Sequence, residues 1–114
     1  MNYTQLSYLM NEKYTVAEIK LSVENEKNHD LSVNNYWLSI SDKGIERLPF
    51  ISMKEEMING NMISVRVFKN AELRFDKLFS KFSINNEIYI LKNCSEEKIP
   101  KDIDEKILQF LKEA

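Results

Sequence analysis

The chain has 114 residues, 43% of them apolar and 30% charged, with a net charge of −2. These values fit one soluble globular domain over residues 1–114, large enough to bury its own core. A lone cysteine, Cys94, excludes an intrachain disulfide and a zinc site built on several thiolates.

The elements follow from hydrophobic spacing. Tyr3, Leu6 and Met10 recur at helical intervals and predict a short helix over 3–11. Over 15–24, Ala17, Ile19, Leu21 and Val23 alternate with Glu18, Lys20, Ser22 and Glu24, a period of two that predicts a strand with the apolar set buried. The polar run "ENEKNHDLSVNN" predicts a loop, and Tyr36 to Ile40 a second strand. Ser52 and Glu55 have capping-box spacing for a helix that Gly60 would end as a left-handed cap. Residues 62–68 alternate again, and Asn70 would cap a helix over 71–82 striped by Phe75, Leu78, Phe79 and Phe82. "EIYIL" (87–91) predicts a fourth strand. Asp102 and Glu105 then open a last helix with Ile103, Ile107, Phe110 and Leu111 on one face.

The expected order is therefore α-β-β-α-β-α-β-α, an α+β fold with a mixed four-stranded sheet and helices packed against it. Strands 62–68 and 87–91 would lie parallel through a right-handed crossover. Two glycines and two prolines in the whole chain argue against a many-turned β-sandwich.

"NNYWLSISDKGIERL" (34–48) resembles the strand, turn and glycine that finish the wing of winged-helix DNA-binding domains. That architecture needs three helices before its wing, roughly 60 residues, and ten of the 35 residues before Tyr36 read as strand. Residues 1–48 also carry seven acids against five bases, the wrong balance for neutralising phosphates. Specific duplex-DNA binding is not expected.

Individual groups with chemical capacity have ordinary explanations. Glu18 and Lys20 form an acid-x-lysine pair like that of metal-dependent nucleases, but no preceding strand supplies a second acid, and alternating charge suits a solvated strand face. His29, the only histidine, sits in the polar loop without a nucleophile motif beside it. Acids at 96 and 97 oppose a thiolate at Cys94. Five bases against two acids over 66–81 make one local basic surplus, which flanking lysines on a core helix would explain.

No catalytic, cofactor-binding or metal-binding residue is expected. The reading is a small non-catalytic protein-binding module, an inhibitor or immunity-type protein that occludes a toxin or defence enzyme being one form of it. A nucleic-acid-binding regulator and a chaperone of a secreted protein are the alternatives. The candidate partner-binding residues are Glu96, Glu97, Asp104 and Glu105, whose negative charge exceeds what one helix start requires and would select a partner basic at its contact surface. The N-terminus lacks the pattern of a signal peptide, and no apolar stretch nears the roughly 20 residues that span a bilayer. The expected location is cytoplasmic, with no membrane contact.

Overall fold

The computed structural model describes residues 2–25, 30–93 and 99–113. Among them the chain forms nine strands and one helix. The strands are β1 (Asn2–Met10), β2 (Thr15–Asn25), β3 (Asp30–Ser41), β4 (Gly44–Leu48), β5 (Phe50–Ile58), β6 (Asn61–Phe68), β7 (Ala71–Phe75), β8 (Ser80–Ile84) and β9 (Glu87–Asn93), followed by the helix α1 (Lys101–Glu113). They make a single curled, half-barrel sheet in the order β4-β3-β2-β1-β9-β8-β7-β6-β5. Every neighbouring pair is antiparallel.

The α+β expectation is thus overturned, and so is the parallel crossover over 62–91. Three predicted helices are strands. In 3–11 a bulge between Gln5 and Ser7 inserts an extra residue. It breaks the alternation and leaves apolar spacings that imitate a helix. In 52–60 the capping box does not form. Asn59 and Gly60 both take positive φ, 50° and 80°, and make the two-residue hairpin turn that joins β5 to β6. In 71–82 the stripe divides at Asp76–Phe79. Ala71, Leu73 and Phe75 alternate on one strand, and Ser80, Phe82 and Ile84 on the next. The loop expected over 24–35 is partly strand, since β3 begins at Asp30.

The glycine argument fails for a definite reason. Asn59, Asn70, Asn85 and Asn86 all hold positive φ in hairpin turns, and asparagine tolerates that conformation better than other residues with a side chain. A β-rich chain can therefore turn often with two glycines.

The strands at 15–24, 62–68 and 87–91 and the last helix stand as expected. Ala17 and Ile19 are fully buried and Leu21 nearly so, while the side chain of Val23 lies outside the described residues. Val16, next to Ala17, is also fully buried, so β2 is covered on both faces. On the concave side Leu9, Val16, Trp37 and Leu48 pack with Phe68, Leu73, Phe82 and Leu91. On the other side Tyr8, Ala17, Ile19, Leu38 and Ile40 pack beneath α1, which contributes Ile107 with Ile103, Phe110 and Leu111 around it. No helix among the described residues is long and apolar enough to cross a membrane.

The chain passes from one edge of the sheet to the other through a single residue, Pro49, between β4 and β5. Adjacent residues cannot stand a whole sheet apart, so the sheet must curl. Rings of Trp37 and Phe68 meet edge to face at 5.5 Å, Phe50 and Phe68 at 5.9 Å, and the Lys69 amide donates to the Pro49 carbonyl.

Candidate partner-binding surface

Of the residues expected to bind a partner, Glu96 and Glu97 lie outside the described residues. Asp104 and Glu105 sit in the first turns of α1, Asp104 half-buried and Glu105 exposed. The helix begins earlier than the capping box implied: Lys101 is already helical, and the Asp104 amide donates to the Pro100 carbonyl at 3.0 Å. Asp102 and Asp104 therefore oppose the positive end of the helix dipole, and Lys112 lies in its last turn.

The other sequence candidates are dispersed. Glu18 faces Trp37 across the strands and is half-buried, and Lys20 is exposed opposite Asn35. His29 and Cys94 lie outside the described residues. Among the described residues no group of three or more His, Cys, Asp or Glu side chains could hold a metal ion. Of the basic surplus of 66–81, Arg74 is paired with acids, and Arg66 keeps its charge against neutral groups. Arg66 lies over the Phe75 ring at 5.3 Å and donates to Ser64. Arg74 forks onto both carboxylate oxygens of Glu56 and also pairs with Glu72, while Lys54 reaches the same two acids. These four charges close a ring on the outer face of the sheet. Val65, at its centre, stands opposite Lys54 on one side and Arg74 on the other, and is fully buried. The hydrogen bond from Arg74, then that from Lys54, holds Glu56 below the usual carboxylate range.

A concave surface of a different kind lies at the seam between the two runs of strands. β1 and β9 pair at only two positions, Leu9 with Asn93 and Met10 with Lys92. β1 ends at Met10, and the turn after it leaves beside β9 an open groove of about 900 Å³ lined by Met10, Asn11, Lys13, Ile88, Ile90 and Lys92 among others. The geometry of β9 there is set by its turn. Asn85 and Asn86, both at positive φ, close on the pair Ile84–Glu87. Glu87, Tyr89 and Leu91 therefore direct their backbone groups toward β8, and Ile88 and Ile90 direct theirs away from it. An independent contact agrees: the Asn11 side-chain amide donates to the Ile90 carbonyl at 3.0 Å. Asn11 is held for this by its own turn, its Oδ1 accepting from the Lys13 and Tyr14 amides.

Among the described residues no strand pairs with β9 along Ile88 and Ile90. Their side chains project on the outer face, 69% and 55% exposed. On the inner face Tyr89 packs against Tyr14 with ring centroids 4.4 Å apart, and its hydroxyl donates to Glu87. That bond, then burial, pushes the Tyr89 phenol above its ordinary value.

The sequence pointed to the acids and missed this groove. A signal was present, because "EIYIL" is apolar on both faces of the strand. Such a strand is either covered on two sides or offers one to a partner. No protein-family model, curated protein or solved structure matches the chain.

Proposed function

We propose that the chain is a non-catalytic protein-binding module that takes an extended segment of a partner protein along the free edge of β9. The carrying observation is that two exposed isoleucines, Ile88 and Ile90, flank a strand edge whose Ile88 N–H and C=O and Ile90 N–H point into an open groove, the Ile90 carbonyl being held by Asn11. Main-chain hydrogen bonds to such an edge supply affinity, and alternate side chains of the incoming segment supply specificity. Met10 would meet apolar residues of that segment, and Glu12 and Lys13 on the rim select charges of either sign. An inhibitor or immunity-type protein would act in this way if the captured segment bordered its partner's active site. A cytoplasmic setting suits this reading.

The test replaces Ile88 and Ile90 together with glutamate. Lys81 stands directly opposite Ile90 on the same face, so an acid is accommodated there. Both positions are exposed, and stability should change by no more than about 0.5 kcal/mol each. Proteins captured by the native chain should be lost by this variant and retained by a control substitution at exposed Leu108. Equal capture by all three chains would sink the groove as the binding site.

A further inference from the structure

The opposite side of the β5–β9 run ends in a second free edge. β5 is nine residues long and has β6 on one side only. Its two-residue turn at Asn59-Gly60 closes on the pair Ile58–Asn61. By strand alternation Ile58, Glu56 and Lys54 then hydrogen-bond toward β6, while Met57, Glu55 and Met53 carry the outward backbone groups. Both faces are open: Ile51, Met53 and Met57 are each more than 60% exposed, as is much of Phe50 and Met62. A long apolar edge of this kind is a template for another strand.

We infer that β5 pairs antiparallel with β5 of a second copy about a two-fold axis through Glu55, joining two sheets into one. The argument is register and charge. A two-fold axis perpendicular to the sheet keeps each face continuous, so only residues of like parity can face one another. Centring on Lys54 sets Lys54 against itself in the narrow, non-hydrogen-bonded position, and centring on Glu56 does the same with two acids. Centring on Met53 brings the bulge at Ile51 and then Pro49, which has no N–H, into the ladder. Centring on Glu55 instead places Lys54 opposite Glu56 of the other copy, twice, at the narrow positions where side chains approach most closely. It also places Met53 opposite Met57, twice, and the outward groups exchange about six hydrogen bonds.

Its one adverse contact is Glu55 against Glu55, at the wider hydrogen-bonded position. The residue opposite Glu55 on β6 is Ser64, which accepts a hydrogen bond from the Arg66 guanidinium. Each copy thus brings a positive charge beside the facing pair. β5 and the β9 groove lie at opposite sides of the β5–β9 run, so pairing leaves both grooves open.

Three variants test the register. Glu55→Cys, made with Cys94→Ser, should oxidise to a disulfide-linked dimer, because directly facing residues lie within bridging distance. Lys54→Cys should not, being offset from its own copy by two residues. Glu55→Gln removes the like-charge contact and should tighten the dimer about fivefold in a sedimentation concentration series. Glu55→Pro removes an outward N–H, which an edge strand tolerates, and should sediment as a folded monomer. A native chain that stays monomeric across the series overturns the proposal, as does a cross-link through residue 54 and not 55. A folded Glu55→Pro chain that remains dimeric overturns it too; should that variant not fold, the cysteine pair decides.

Discussion

β4 and β5 are consecutive strands joined by Pro49, and each is an edge of the same sheet, yet they are protected in opposite ways. β4 is five residues long, buries Leu48, and has Ile45 packed into the cluster beneath α1. β5 is nine residues long and bare on both faces, with Lys54, Glu55 and Glu56 in its middle and a bulge at its start. A short edge anchored by its face offers few free backbone groups, whereas charges and a bulge restrict which strand can join a long one. The first edge is short and anchored through one face by Ile45 and Leu48. The second is left selective.

The largest expected effect comes from loosening α1 on the face that anchors the first edge. Ile107→Ala removes the one fully buried side chain of α1 and should cost about 2–5 kcal/mol, as other buried isoleucine truncations do. Thermal unfolding measures the loss. A melting temperature unchanged by the substitution would mean that α1 does not stabilise the sheet face beneath it.

Gly60→Ala acts on the other edge. At φ 80° a side chain is strained although nothing crowds it, and about 1 kcal/mol of stability should be lost. Amide exchange should rise in β5 and β6 and stay unchanged in β2 and β3.

A smaller effect belongs to the ring of charges over Val65. Glu56 titrates below its ordinary value, so the stability it lends is present at neutral pH and lost as pH falls through that lowered value. Glu56→Gln should flatten the acid limb of the stability curve, and salt should weaken the native chain more than the variant.

Smallest of all is Tyr89→Phe. The phenol titrates above its ordinary value, so its contribution holds below the usual tyrosine range and fades as pH rises beyond it. The variant should lose one ionisation above the usual tyrosine range in an ultraviolet titration while leaving the acid limb untouched.

How much of this was legible can be argued residue by residue. The alternation of residues 15–24 identified β2, and the stripe from Ile103 to Leu111 identified α1, because each is long enough for one period to exclude the other. Short segments were ambiguous. Phe75, Leu78, Phe79 and Phe82 satisfy helical spacing as well as two strands and a turn, and only the neighbouring strands decide between them. Asn59-Gly60 is a strong hairpin signal that was read as a helix end. The groove eluded the sequence for another reason: the open backbone edge at Ile88 and Ile90 depends on β1 pairing with β9 at only two positions, a long-range fact no local pattern records.

Pro49 also carries a consequence for the order of assembly. Within β1–β4 and within β5–β9 every neighbouring pair is consecutive in sequence, so each run can pair locally. The one pairing that is remote in sequence is β1 with β9, and it is also the sparsest. Contacts that close long loops form late, because the entropy of closure must be met before they contribute. The chain is therefore expected to fold as two ribbons hinged at a proline, with Asn11 latching them last. Substitutions at that latch should speed unfolding and leave the folding rate nearly unchanged.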